Sequence, residues 1–285
     1  MKIKEEGKQR KKMTPVKVVM YSGLIFWTII QLFPLYWLFT FSLKSNAEIF
    51  GGNIIGLPKE WHWEHYATVF GQAHIYKYLI NSLLVAAVTI VATAILASMA
   101  SYALVRLKWK LSSVVYILFL LGMMLSLQAV LLPLYRNLKT IRDTLWSLIV
   151  PYVAFNLPMA ILLISGSLKT IPKEMEEAAF IDGASLYKIF FKIILPLLKP
   201  IISTVAILNF LDSWNELMLA QTFINSDQWM TITVGVNNMV GRYSTKCGLI
   251  GAGLTIATIP TLLLYAFLSN NIQESLAAGA VKRQL

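Results

Sequence analysis

The sequence predicts an all-α protein, a polytopic transmembrane bundle of six helices, and three observations predict it. Hydrophobic residues make up 57% of the 285-residue chain and charged ones only 14%, far too apolar for a soluble domain of this length. Charge-free runs recur along the chain, each reaching the roughly 20 residues that a bilayer crossing needs. Lysine and arginine concentrate in alternate segments between those runs, as the positive-inside rule expects of cytoplasmic loops.

The elements follow in order. Residues 1–17 form a basic cytoplasmic tail with seven lysines and arginines. They lack the small-residue cleavage site of a secretory signal, so the first span, Val18 to Leu43, is expected to stay as an anchor. Residues 44–78 read as an external segment, where Trp61-His62-Trp63-Glu64-His65-Tyr66 suits a short helix at the outer interface. Leu79 to Val105, Leu111 to Tyr135 and Thr144 to Leu168 are the next three spans. Arg106, Lys108 and Lys110 lie inside between the first two. Arg136, Lys139 and Arg142 lie outside, an exception that the rule does not explain. A polar cytoplasmic loop, 169–196, comes next. The fifth span, about Leu197 to Ile224, carries Asp212 and Glu216. It is required if that loop and the C-terminus are to share a side. An external loop, 225–246, and the last span, Cys247 to Leu268, complete a membrane domain over 18–270, and 271–285 is a cytoplasmic tail.

With both termini inside, most basic residues fall on the cytoplasmic side. The net charge of +11 then reads as membrane orientation and contact with lipid headgroups, not as nucleic-acid binding. Cys247 is the single cysteine, so no intrachain disulfide or thiolate metal cluster is possible.

The polar loop carries the most information. Pro172 stands where a helix can start, and Glu174, Glu176 and Glu177 favour its N-terminus electrostatically. Met175, Ala178, Ala179 and Asp182 then share one face, a small and mostly apolar stripe that a partner can approach closely. Gly183 suits a left-handed turn, and Ser185 can cap a second helix running toward Ile194. A bland alternative is an amphipathic connector lying on the bilayer, with Lys188 and Lys192 at the headgroups.

The spacing Glu177-Ala178-Ala179, Gly183, Ile193, Leu195-Pro196 resembles the EAA signature loop of the membrane subunits of prokaryotic ABC importers. Asn81-Ser82, Pro133-Leu134-Tyr135, Ile181 to Ser185, Trp214-Asn215-Glu216 and Ala278 to Lys282 narrow the resemblance to carbohydrate permeases of the maltose type, the smaller of two paired subunits. It covers all but the first 15 or so residues. The resemblance implies a type I ABC importer permease architecture in a prokaryotic cell membrane. It implies that Glu177, Ala178, Ala179, Asp182, Gly183, Ile193, Leu195 and Pro196 dock into an ATPase dimer. A second, homologous permease and an extracytoplasmic sugar-binding protein would complete the complex, with ATP and Mg bound by the ATPase and no cofactor in this chain. The external loop, through Asn237, Asn238, Arg242 and Tyr243, would reach the binding protein. The tail, through Gly279, Val281 and Lys282, would contact the ATPase. Its continuation through Leu285 departs from many relatives.

Within the membrane, Asn209, Asp212 and Glu216 recur at helical spacing on one face. They read either as a hydrated stripe lining a translocation path or as an interhelical hydrogen-bond cluster with an interfacial glutamate. Small residues at Ala94, Ala97, Ser98 and Ser101, and at Gly248, Gly251, Ala252 and Gly253, read as packing faces.

Catalytic readings fail on spacing. Gly51 and Gly56 are followed by Leu57-Pro58 where a phosphate-binding loop needs lysine and a hydroxyl, so energy must come from another subunit. His62, Glu64, His65 and His74 share one segment, but their spacing is a weak zinc pattern beside the simpler reading of solvated loop residues, and no metal is expected. No hydrolase motif is present. The expected activity is alternating-access import of a sugar or oligosaccharide. Import of another solute, a passive channel or an intramembrane enzyme are the alternatives.

Overall fold

The computed structural model describes residues 15–107, 109–242 and 246–281, and its regular elements are all helical. Four apolar runs form continuous helices long enough to cross a bilayer: α1 (Pro15–Ser42), α4 (Ile75–Val105), α7 (Trp146–Leu168) and α14 (Cys247–Val281). Short helices α2 (Asn46–Phe50) and α3 (Glu64–Gly71) fill the segment after α1, the latter where the aromatic cluster predicts one.

The other two expected spans are bent. Leu111 to Tyr135 is not one straight helix but α5 (Ser112–Gly122) and α6 (Leu127–Asn137), which meet at 102°. At about 1.5 Å per residue α5 extends only about 16 Å, roughly half the hydrocarbon thickness. Gly122 ends it against α7, where an added Cβ would lie 3.2 Å from the Pro158 ring.

The second bend follows the polar loop. That loop forms α8 (Glu174–Ile181), α9 (Leu186–Ile189), a π-helical turn at Phe190–Ile194 and α10 (Leu195–Leu197). The α9–α10 run meets α11 (Lys199–Asn215) at 72°. Glu216 and Leu217 then interrupt the expected span before α12 (Met218–Phe223). After a 3₁₀ turn at Asp227–Trp229, α13 (Ile232–Arg242) leads to α14. Counting each bent pair as one span makes six. α14 runs for 35 residues, through the expected boundary at 270, so the tail begins as a continuation of the last span.

Burial runs opposite to that of a soluble protein. On α4, Thr89, Thr93, Ser98 and Ser101 are wholly buried while Leu84, Val91 and Ile95 are exposed. Lipid tails solvate large aliphatic side chains as well as a protein core does, so helix association depends on close packing, and small residues permit it. The last span shows the same device. A Cβ on Gly248 would lie 2.3 Å from the His65 ring, and one on Gly251 would lie 3.0 Å from the Ser42 backbone.

α4 is central, packing along α7 and α11. One core joins it to α11, α13 and α14 through Ile75, Phe210, Ile232 and Ala252. A second joins Ala97 to Ile161 and Ile164 of α7 and to Ile194 of the polar loop. A third, at the opposite end, gathers Val85, Leu148 and Phe223.

Polar contacts tie together segments that the alternation of spans puts on one side. At the start of α4, Asn81 Nδ2 donates to the carbonyls of Gln228 and Met230, each at 2.9 Å. Ser82 Oγ accepts the Ile232 N–H at 2.8 Å, and the Tyr78 hydroxyl donates to Asp227. Nearby, Asp143 accepts the N–H groups of Asn225 and Ser226 at 2.9 and 2.8 Å. Those bonds hold the Asp143 carboxyl below the usual carboxylate range, Ser226 contributing most.

Two basic residues at this end, where the charge rule expects few, have structural partners. Arg142 lies 4.4 Å above the Tyr135 ring. Lys44 is fully buried and donates to the carbonyls of Asn53 and Ile54 at 2.9 and 3.0 Å. Burial lowers its pKa, with Glu48 opposing the shift.

Candidate functional site

At the other end of the bundle, α8 and α9 form the expected helix, turn and helix. Helix α8 begins at Glu174, two residues after Pro172, and carries all three glutamates in its first turn. Gly183 adopts φ +77°, the left-handed conformation that its position requires. Ser185 caps α9, its hydroxyl accepting the Lys188 N–H.

The structure divides the eight predicted docking residues. Glu177, Ala178, Asp182 and Gly183 are exposed, and a Cβ on Gly183 would meet nothing within 4 Å. Large apolar side chains flank them in the open: Phe180 is 72%, Ile181 85% and Tyr187 73% exposed. Exposed apolar patches rimmed by polar residues mark protein-interaction sites in general. Ala179 and Leu195 instead pack partly inward, Ile193 is half-buried, and Pro196 is exposed at the bend.

The conformation around Pro196 follows from its missing N–H. Leu195 donates to Phe190, five residues back, and the π turn results. Phe190, Ile194 and Leu198 recur every fourth residue and are buried against α7 and α4. The end of the motif therefore anchors the element, while its beginning faces outward.

The anchor has a polar half. Arg106, just after α4, places Nε 2.7 Å from Glu176 Oε1, with both side chains largely buried. Its guanidinium also donates to the carbonyls of Leu168 and Ile171 at 3.0 and 2.7 Å, and the Tyr102 hydroxyl donates to Glu176 Oε2 at 2.9 Å. Sequence reasoning missed this cluster. Arg106 registers there only as an inside-positive charge, and Glu176 only as an acid at a helix start.

Of the predicted stripe, Asn209 and Asp212 lie on α11, whereas Glu216 lies just beyond its end and bonds Tyr152 of α7, as the hydrogen-bond-cluster alternative expects. Asn209 is buried inside the subunit, and Asp212 is exposed. Glu216 sits at the helix break, where its carboxylate accepts the Leu219 and Ala220 N–H groups at 2.8 and 3.1 Å and the Tyr152 hydroxyl at 2.7 Å. Periodicity assumes an unbroken helix, and this one ends at Asn215.

In the segment 225–246, expected to be an external loop, residues 232–242 form helix α13. Ile232, Val234, Val236 and Met239 bury its inner face. Asn238 donates to the Met230 sulfur, and Asn237 faces a groove beside α11 and α14. Arg242 ends the helix, and Tyr243 lies outside the described residues. Gly279 and Val281 belong to the last turns of α14, and Lys282 lies outside the described residues. His62 contacts Glu64, and His65 contacts the Ser42 carbonyl.

A bundle of apolar spans with an exposed helical pair at one end defines an integral-membrane subunit made to engage a partner. The family model described as "Binding-protein-dependent transport system inner membrane component" matches residues 90–279, and the chain belongs to that family. It is similar to the probable ABC transporter permease protein YurM of Bacillus subtilis (strain 168), 34% identical over 282 residues, 98% of this chain and 93% of that protein. It is also similar to the trehalose transport system permease protein SugB of Mycobacterium tuberculosis (strain CDC 1551 / Oshkosh), 33% identical over 255 residues, 88% and 92% of the two chains. A crystal structure of a bacterial ABC transporter involved in import of the acidic polysaccharide alginate matches with a TM-score of 0.76, covering 91% of this chain and 98% of that one; at 20% identity this is a likeness of fold. The chain is thus a multi-pass inner-membrane transport subunit, not an enzyme.

Proposed function

We propose that this subunit imports a sugar or oligosaccharide by alternating access, paired with a second, homologous permease above a dimer of ATP-binding subunits. An extracytoplasmic binding protein delivers the sugar. The end bearing α8 and α9 is cytoplasmic, as are both termini, and ATP and Mg are held by the ATPase. The observation that carries this reading is the exposed face around Gly183, with Phe180, Ile181 and Tyr187 open beside the signature residues. The naming of a relative for trehalose transport supports a saccharide cargo.

ATP-driven closure would displace α8, and its anchorage through Arg106 and the Ile194 core would carry that displacement into α4 and α7. The test is reconstitution of the complete complex in proteoliposomes with its binding protein, followed by uptake and ATP hydrolysis with glucose, maltose, trehalose and cellobiose. At least one sugar should be taken up and should stimulate hydrolysis. Uptake of none, or assembly without any ATP-binding subunit, would overturn the proposal.

A further inference from the structure

Helix α11 stops at Asn215 and the chain continues extended through Glu216 before α12 begins. Interrupted backbone at membrane depth is tolerated where it is buried in protein or lines a watery cavity. Beside this break lies a groove of about 460 Å³, walled by α11, α13 and α14, within the range of small-molecule sites. We infer that this groove is a sugar subsite contributed by this subunit, in which Asn215, Asn237, Thr258 and Thr261 bind the hydroxyls of an uncharged saccharide. The inference rests on the importer reading above and goes beyond it by assigning direct cargo contact to this chain.

The chemistry of the lining supports that occupant. Among the described residues no ionisable side chain lines the groove, so neither an anionic nor a cationic solute finds a counter-charge among them. Its polar groups are amides and hydroxyls, types that can donate and accept as a sugar hydroxyl requires; the Thr258 hydroxyl donates to the Leu254 carbonyl at 2.8 Å and is left to accept. Asn237 is exposed and has no hydrogen-bond partner among the described residues. Asn215 Nδ2 donates to the Leu211 carbonyl at 2.8 Å, which leaves its oxygen free.

Between these groups the walls are aliphatic, suited to the C–H faces of a pyranose. Trp214 makes a fixed floor: its indole N–H donates to the Ala257 carbonyl at 3.1 Å, and its ring stacks on Phe210 at 5.2 Å. Thr258 and Thr261 lie about 16 and 21 Å along α14 from its outer end. The groove therefore reaches from the external end to mid-bilayer, where polar groups turned outward from a helix bundle belong to a cavity or a partner. That placement spans part of the route a solute must take.

The test uses the complete complex with Cys247→Ser in this subunit and cysteine in place of Asn237 or Thr258. A water-soluble maleimide should react in one nucleotide state, and the sugar of the four above that is taken up should slow the reaction at least fivefold. Separately, Asn215→Ala/Thr261→Ala should lower uptake about three- to tenfold, the range for losing one or two neutral hydrogen bonds. Hydrolysis stimulated by loaded binding protein should persist, so that more ATP is hydrolysed per sugar moved. Cysteines closed to reagent in both nucleotide states would mean that the partner permease fills the groove, and would overturn the inference. Labelling without sugar protection in a complex that does take up sugar would overturn it while leaving the importer reading intact. A complex that takes up none of the four sugars removes both.

Discussion

Arg106 at the end of α4 and Glu176 in the first turn of α8 form an ion pair, Nε to Oε1 at 2.7 Å, with side chains only 6% and 14% exposed. The pair links the central span to the helix that presents the signature residues. Glu177, the next residue, is exposed.

Replacing Arg106 by Met should therefore be costly. It leaves Glu176 without its counter-charge and the Leu168 and Ile171 carbonyls without a donor. Breaking a buried pair from one side costs about 3 kcal/mol or more, and the melting temperature of the purified complex should fall accordingly. Glu176→Gln keeps a hydrogen-bonding group toward Tyr102 and should cost less. In Arg106→Met/Glu176→Met, stability should partly return while sugar-stimulated ATP hydrolysis does not. Wild-type melting of Arg106→Met would show that the Ile194 core alone holds α8.

Gly183→Val separates docking from folding. The backbone at φ +77° is strained for a β-branched residue, but the added side chain would project into open space. Insertion and melting of the isolated subunit should change by about 1–3 kcal/mol at most, whereas co-purification of the ATP-binding subunit should drop at least tenfold. Ile181→Asp, at an exposed position without backbone strain, should repeat the loss of co-purification with no change in melting. Retained ATPase binding in both variants would remove this face from the docking surface.

Cysteines at the former polar stripe should behave differently from one another. In a Cys247→Ser background, cysteine at Asp212 should react with a water-soluble thiol reagent, whereas cysteine at buried Asn209 should remain protected. Glu216→Ala should destabilise by about 1–2 kcal/mol, as loss of a helix cap does, and Glu216→Gln should cost less. Equal reactivity at 209 and 212 would restore the single hydrated face that the unbroken periodicity predicts.

Asp143 gives a pH signature at the end of the bundle opposite α8. Its folded pKa is depressed by the Ser226 and Asn225 N–H groups. Its contribution to stability is therefore complete above the unfolded value, about 3.9, and is lost as pH falls through the lower folded value. Asp143→Asn should lower stability by about 1 kcal/mol at pH 7, and the difference from wild type should vanish under acid. Melting of the purified subunit from pH 7 to pH 3 checks this; a constant difference would place the effect elsewhere.

Much of the fold was legible because lipid imposes a one-dimensional code. A span must be apolar for about 20 residues, and Leu79 to Val105 or Thr144 to Leu168 needs no tertiary partner to satisfy that rule. The turn at Gly183 and the cap at Ser185 were legible for the same reason, since both are local backbone geometry. Where the reading failed, the cause was an interruption. The bend after Gly122 and the break at Glu216 each meet a residue distant in the chain, Pro158 in the first case and Tyr152 in the second, which hydropathy does not register.

The sequence by itself determined that this chain crosses a membrane several times and carries an ABC importer signature between its fourth and fifth spans. Both are matters of composition and short-range spacing. Only the tertiary structure decided which signature residues are exposed and which pack inward. It also decided that Arg106 reaches Glu176, and that Asn237 stands beside Asn215 and Thr258 rather than in a free loop. Those relations join residues far apart in the chain, and they depend on helix rotation and on where each helix stops, which hydropathy does not record.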